Sequence, residues 1–428
     1  MLSQAVGRRE VDVIIIGAGA AGIAAGRHLQ TVRPDLSLQI LEAGARIGGR
    51  ALTVRPKLLA EQPVDLGCGW LHGALTNAWT SVAGDLGLAV DQTPAPWSDG
   101  GRRLQNDEGA DVAIGDFFER AQDYRGESDK PLSDLLEPDN PWNPRIEAIG
   151  TYLNGAALAQ SSVLDYANYA PGEGPDWRVR GGYGALISTY ASTLPISLHT
   201  VVTGIDHRSR TSVVVETNRG ALTARWVIVT LSTDMLARET IRFTPALPQK
   251  IEAAASLPLG LANKLFLRVP PYLDLPVDTQ AYGSAKTSAT GSYHIRAFGQ
   301  PIIEAYFAGP LAYDLEKAGD AAALAFARDE LAGVFGSAIR GDLEFVMMSG
   351  WATSAHIGGA YAYAIPGAVS ARGMLAAPVD GRLLFAGEAC SVARYSTAHG
   401  AFETGVAAAE RIIDAAPAPA AIALANES

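Results

Sequence analysis

One short glycine-rich segment constrains this chain more than any other. Gly17-Ala18-Gly19-Ala20-Ala21-Gly22 has the G-x-G-x-x-G spacing and follows a run from Val11 to Ile16 that is apolar apart from Asp12. A β-branched run that ends at a glycine reads as a buried parallel strand. Ala18 to Gln30 then reads as a helix rich in small residues, and Ser37 to Leu41 as a second strand ending at Glu42. This strand–helix–strand unit has the size of one nucleotide-binding half of a Rossmann-like fold. Gly17 suits the tight turn, Gly19 lets the backbone approach a pyrophosphate, and Gly22 lets the helix pack close to the strand. The helix N-terminus offers free N–H groups and a positive dipole end to phosphates. Glu42 stands about 20 residues past the last glycine, where a carboxylate accepts from a ribose diol. A ligand-free glycine turn is the bland alternative. The motif alone does not separate FAD from NAD.

The 428 residues are nearly half hydrophobic, enough for two domains of ordinary size. The net charge of −11 argues against nucleic acid as a partner and is compatible with a cationic substrate. An acidic balance also simply keeps a protein soluble. Cys68 and Cys390 stand far apart, without metal-type spacing, and fit a reduced compartment. No metal is expected. Met1 to Val11 has no signal-peptide core, and no apolar run approaches the roughly 20 residues of a membrane helix. A cytoplasmic protein without a membrane partner is therefore expected. The Ala/Pro-rich tail after Asp414 reads as a frayed end.

Between the ends, Leu75 to Asp176 is helical and loop-rich. Ser197 to Ile205 reads as one strand. Ser212 to Glu216 and Ala221 to Thr230 flank the turn signal Asn218-Arg219-Gly220. Val227 to Leu231 reads as another strand of the buried type. Asn263 to Val269 is strand-like and Ala321 to Phe335 helical. The opening style then returns, with a strand from Arg382 to Ala386 ending at Gly387-Glu388 and a helix from Gly400 to Ile413. The pattern predicts an interleaved α/β chain. Residues 1–75, 176–248 and 366–428 would form the nucleotide domain, and 76–175 and 249–365 an α+β substrate domain.

Glu42-Ala43-Gly44-Ala45-Arg46-Ile47-Gly48-Gly49-Arg50 resembles the Glu-Ala-x-x-x-x-Gly-Gly-Arg signature of the FAD-binding family that includes amine, polyamine and protoporphyrinogen oxidases and carotenoid desaturases. The resemblance implies FAD. Gly48 and Gly49 would bring N–H groups to the flavin-side phosphate, and Arg50 would add a charge-assisted bond. Where that family often has Arg, this chain has Gly44, so one adenosine-side contact is expected to be missing.

Four more segments resemble the flavin amine oxidases, and the polyamine oxidase branch most. Asp65-Leu66-Gly67-Cys68-Gly69-Trp70-Leu71-His72-Gly73 looks like the segment along the ribityl chain and flavin edge, which implies contacts at Gly69, Trp70 and His72. Gly260-Leu261-Ala262-Asn263-Lys264-Leu265-Phe266-Leu267 resembles the strand whose lysine reaches flavin N5 through a water. A lysine in so apolar a strand is costly unless its head finds polar partners, and burial is expected to lower its pKa. A strand-end lysine snorkelling to solvent is the plain alternative. Trp351 and Gly358-Gly359-Ala360-Tyr361-Ala362-Tyr363 resemble the segment of substrate-facing aromatics, which implies Trp351 and Tyr361 as cage walls for an amine, with an ordinary core residue as the plain alternative for Tyr361. Ala360 stands where monoamine oxidases carry the cysteine that tethers the flavin, so the FAD is expected to be non-covalent. Phe385-Ala386-Gly387-Glu388 and Thr397-Ala398-His399-Gly400-Ala401 resemble the C-terminal FAD segment. There Gly387 and Glu388 would meet the ribityl or phosphate region, and Thr397 and Ala398 the pyrimidine end. Gly400 would open a helix facing the flavin carbonyl. Val202 completes the cofactor set. Ala398 replaces the second cage tyrosine of monoamine oxidases, so that wall is absent or supplied by another residue.

The resemblance implies the flavin amine oxidase architecture, a Rossmann-like FAD-binding domain interleaved with the substrate domain. It also implies hydride transfer from an amine α-carbon to flavin N5, imine hydrolysis, and reoxidation by O2 to peroxide. Lys264, Tyr361, Trp351 and His72 would serve the reaction, with a secondary or polyamine-like amine as substrate. The rivals are a flavin oxidase or desaturase acting on a C–C bond, an L-amino-acid oxidase, which needs an arginine for the substrate carboxylate, and a non-catalytic FAD-bearing interaction protein. The resemblance is weak across Leu75–Asp176 and Pro270–Glu344, where specificity would reside. Oligomeric state is not legible.

Overall fold

The computed structural model describes residues 9–105 and 107–418. Most of the N-terminal segment and the tail beyond Ala418 lie outside the described residues. An eight-stranded sheet contains the opening motif. Its strands run in the order Arg242–Thr244, Val202–Asp206, Val213–Thr217, Gly220–Val229, Arg9–Ile16, Leu38–Leu41 and Ile196–Ser197, with Leu383–Phe385 beside the second half of Gly220–Val229. The centre is parallel: Ile14 pairs with both Val227 and Gln39, and Ile228 with Leu384. Val13 and Ile15 enter one core with Ile23 and Leu29, while Ile14 and Ile16 enter the opposite core with Val227 and Phe385. Burial on both faces explains the apolar run from Val13 to Ile16; Asp12, near the start of the strand, is only partly buried.

The helix Ala20–Val32 packs closely on this sheet and on the last helix, Ala398–Ala415. A Cβ on Gly22 would lie 2.0 Å from the Gly17 carbonyl oxygen, and one on Gly405 would lie 2.2 Å from that of Ala21. Close backbone approach is thus the reason for both glycines.

A second sheet of six strands has the order Glu344–Met348, Ala262–Arg268, Ile302–Ala308, Ser292–Ile295, Thr279–Tyr282 and Arg102–Arg103. Leu265, Leu267, Ile303, Ala305, Tyr293 and Ile295 share one core with Leu311, Leu315, Ala323, Ala327 and Leu331 from the helices Gly309–Ala318 and Asp320–Phe335. The period of two leaves the other face to a different set. Lys264 lies opposite Tyr306, Tyr306 opposite Ser292, and Ser292 opposite Tyr282. In the next row Glu304 lies opposite His294, and His294 opposite Gln280.

The sequence expectations hold for most elements, with instructive differences. Ser197–Ile205 is two strands, Ile196–Ser197 and Val202–Asp206. Between them His199 takes a left-handed conformation (φ 52°), and the backbone N–H groups of His199 and Thr200 donate to the Gly44 and Glu42 carbonyls. The chain leaves the sheet to brace the loop after Glu42. Val227 to Leu231 is the end of the Gly220–Val229 strand, not a separate one. The final helix opens at Ala398, two residues early, because Thr397 Oγ1 accepts from the Gly400 N–H and caps it. Arg102–Arg103 extends the second sheet from a region read as helix and loop. Among the described residues no helix is long and apolar enough to cross a membrane.

Candidate active site

A cavity of about 1150 Å³ runs from the glycine-rich turn of the first sheet to the polar face of the second. A drug-sized site needs roughly 300–1,000 Å³, so this one has room for more than a single small ligand. At its inner end Gly17 has φ +105°, which only glycine adopts freely, and turns the strand into the helix. Gly19 is the N-cap of that helix and has no side chain to cap with. A Cβ on Gly19 would meet nothing within 4 Å, so the backbone there borders open space that a ligand can approach closely. Gly48 closes the turn by donating its N–H to the Ala18 carbonyl, and Gly49 sits beside Gly19. Glu42 is held from behind: its two oxygens accept from the Ala18 N–H at 2.8 Å and the Gly44 N–H at 2.7 Å. Gly22 does not line the cavity. Its place is the helix–strand contact.

Arg50 and Glu388, each expected at the cofactor, meet one another at 2.7 Å. Arg50 also donates to the Ala360 carbonyl, and buried Glu388 accepts from the N–H groups of Ala362 and Ser396. This pair ties the opening motif to the C-terminal segment, and both residues border the cavity. Val202, Gly387, Thr397 and Ala398 line it as well. The Thr397 hydroxyl is already engaged in the helix cap and with the Arg394 carbonyl. Arg46, unassigned in the sequence reading, also borders the cavity. Burial lowers its pKa against the opposing charge of Glu42.

At the other end Lys264 is buried, with its ammonium 2.8 Å from the Glu304 carboxylate. Gly69 covers it: a Cβ there would come within 2.9 Å of Nζ. The expected fall in its pKa is not observed. Burial pulls it down, but the charge and hydrogen bond of Glu304, with Asp65 and Tyr306, outweigh burial and raise it. Tyr361 donates its hydroxyl to the Tyr152 carbonyl at 2.6 Å and lies 2.8 Å from the Tyr306 hydroxyl. Burial pushes both phenols above their ordinary range. Tyr306 therefore adds an aromatic surface beside Tyr361 at the cavity wall. The Trp351 indole donates to the Leu66 carbonyl and is buried at the cavity edge. Trp70 packs edge-on against Trp97, 4.5 Å between ring centres, with the Arg178 guanidinium over its ring. His72 is more open, with Nδ1 3.0 Å from Asp176.

Glu304, Tyr306 and Tyr152 escaped the sequence reading. A signal was present: Ile302-Ile303-Glu304-Ala305-Tyr306-Phe307 places a carboxylate in an apolar strand, just as Leu261 to Leu267 places a lysine in one. Each implies the other, but only register brings them together.

The family model described as "Flavin containing amine oxidoreductase" matches residues 20–413. The chain belongs to the flavin-containing amine oxidoreductases. It is 30% identical to polyamine oxidase 2 of Arabidopsis thaliana over 94% of this chain and 88% of that one. It is 31% identical to polyamine oxidase 3 of Oryza sativa subsp. japonica, over 93% and 88%. A lysine-specific histone demethylase 1 homolog 3 of A. thaliana is 28% identical over 95% of this chain but only 30% of its own length. A solved structure of putrescine oxidase, redesigned in cofactor binding, superposes with a TM-score of 0.76 at 19% identity, covering 95% and 99% of the two chains. That likeness shows the fold. This amine oxidoreductase is an FAD-dependent enzyme, and its cavity suits the cofactor: open backbone at Gly19, a preset carboxylate at Glu42, and a buried cation at the far end.

Proposed function

We propose that this enzyme oxidises secondary or polyamine-like amines, with non-covalent FAD and O2 as acceptor. The observation that carries the reading is the Lys264 ammonium, buried at the end of a cavity walled by Tyr306, Tyr361 and Trp351. The cofactor contacts are assigned to Gly17, Gly19, Glu42, Gly48, Gly49, Arg50, Gly69, Trp70, Val202, Gly387, Glu388, Thr397 and Ala398, with Gly22 supporting the turn. Domain limits of 1–75, 176–248 and 366–428 for the FAD-binding part, and 76–175 and 249–365 for the substrate part, are supported by the strands each sheet draws on.

FAD, when bound, supplies the two-electron acceptor for the amine α-carbon and passes the electrons to oxygen as peroxide. The protein's own part is positioning and desolvation. Tyr361, fixed by Tyr306 and Tyr152, and Trp351, fixed by Leu66, present aromatic faces that exclude water and disfavour the ammonium form of the substrate. Holding the α-carbon in one pose supplies the rest. Lys264 keeps a positive charge at the reaction centre, where charge that develops during oxygen reduction is stabilised. His72, oriented by Asp176, is assigned to the substrate. Among the described residues the arginines that line the cavity are Arg46, near Glu42, and Arg50, paired with Glu388. Neither stands among the aromatic walls, which disfavours an amino-acid carboxylate as ligand there.

A panel of amines assayed for peroxide tests the reading. Secondary amines and polyamines should be turned over better than benzylamine or phenylethylamine. A clear preference for the small aromatic primary amines would overturn the substrate class. Peroxide from apolar polyenes but not from amines would replace the reading with C–C oxidation.

A further inference from the structure

We propose that Glu304 is a positioning residue for this reaction: it holds the Lys264 ammonium charged and in one place at the flavin end of the cavity. The inference rests on Lys264 acting at the cofactor as proposed above.

Lys264 does not face Glu304 directly across the sheet. Its cross-strand neighbour is Tyr306, and Glu304 stands two residues earlier on the same face. The lysine therefore reaches a diagonal partner, which long side chains can do. The contact is 2.8 Å, with side-chain exposures of 8% for Lys264 and 20% for Glu304. At the other end of the side chain the backbone is pinned. The Lys264 N–H donates to Ser349 Oγ, which in turn donates to Asn263 Oδ1. Gly69 covers the ammonium from the opposite side. Both ends of the side chain are thus fixed.

The other groups facing Lys264 cannot replace Glu304. Asp65 contributes charge, but its oxygens accept from the Thr53 hydroxyl and the N–H groups of Tyr183 and Gly184. Burial pushes Asp65 up from the ordinary carboxylate range, and those hydrogen bonds oppose the shift. Cys68 is pushed up to about 12, chiefly by burial, so its thiol stays neutral. Tyr306 is a neutral phenol. Glu304 is left as the direct carboxylate partner. Without it, the largest influence opposing burial at Lys264 is lost, and the balance moves toward the neutral amine.

Glu304→Gln keeps the shape and removes the charge. In the FAD-loaded enzyme, anaerobic bleaching by amine and reoxidation by oxygen are followed across neutral to alkaline pH. Reoxidation in Glu304→Gln should drop about tenfold as pH rises, earlier than in the wild type, because Lys264 loses its proton sooner. Bleaching should change much less, and Glu304→Asp should recover part of the loss at neutral pH. A second readout needs no flavin: melting temperatures of the flavin-free Lys264→Met, Glu304→Gln and double variants. Glu304→Gln should lower the melting temperature, and adding Lys264→Met should restore most of it, since the buried ammonium is then gone. An unmoved pH profile in Glu304→Gln, with reoxidation still damaged by Lys264→Met, would overturn this inference alone. Purely additive melting effects would do the same. No effect of Lys264→Met on reoxidation would overturn both this inference and the cofactor role of Lys264.

Discussion

At Lys264 burial pulls the ammonium toward neutrality, while Glu304 and Asp65 pull the other way and prevail. The residue is therefore better suited to hold a charge than to pass a proton, and the oxygen half-reaction is where a fixed charge acts. Lys264→Met keeps the apolar stem and removes the charge. Rapid mixing should show reoxidation slowed about tenfold or more, equivalent to about 1.4 kcal/mol, with bleaching by amine changed less. Equal, small effects would place the lysine away from the chemistry. His399 shows the opposite balance. Burial lowers its pKa to about 4, and one ring nitrogen donates to the Pro171 carbonyl, so it is neutral in the fold. The unfolded chain takes up a proton there near pH 6.5. Stability is thus fully present above about pH 6.5 and is lost as pH falls toward about 4, by on the order of 3 kcal/mol at 1.36 kcal/mol per unit. In His399→Gln the melting temperature should fall less steeply over that window. An unchanged slope would mean that other groups carry the acid sensitivity.

The opening strand–turn–helix was legible because local chemistry dictates it. A run buried on both faces must be apolar, and a turn at φ +105° calls for glycine. Gly22 carries the tightest contact of this unit, 2.0 Å from a would-be Cβ to the Gly17 oxygen. Gly22→Ala should push the helix off the turn, lowering stability by about 1–3 kcal/mol, as overpacking does, and weakening FAD retention with it. Calorimetry alongside a flavin-release assay would check both. A variant as stable as the wild type that still loses flavin would assign Gly22 to the ligand instead of the packing. Element ends were less legible, for a reason of the same kind. The final helix begins at Ala398 because of one hydroxyl, Thr397, and the strand after Ile196–Ser197 breaks to serve the loop after Glu42.

Across the molecule, the cavity spans both sheets, and its lining comes from chain segments hundreds of residues apart. The Arg50–Glu388 pair and the Glu42 brace close the FAD-binding end without any covalent attachment point at Ala360. Acid precipitation should therefore release the flavin into the supernatant. Flavin that stays with the pellet would contradict this and make Cys68, which lines the cavity, the suspected tether. Because the cofactor binds the folded state, stripping it should also lower the melting temperature, by the equivalent of about 2.7 kcal/mol when free FAD had stood at 100 times its Kd.

Local patterns determined the nucleotide-binding start, the acid at the end of the second strand and the candidate lysine. Each follows from interactions within a few residues: a turn that needs glycine, a helix N-terminus that attracts phosphate, an apolar strand interrupted by a charge. Tertiary structure decided which charges meet. Arg50 and Glu388 are 338 residues apart, so their pairing at 2.7 Å depends on the strand Leu383–Phe385 taking its place beside Gly220–Val229 in the first sheet. Glu304 comes to Lys264 through antiparallel register, and a one-residue slip would turn it to the other face. The lysine's charge was decided there too, because desolvation can be anticipated from an apolar strand, whereas the carboxylate that offsets it is set by which strand lies alongside.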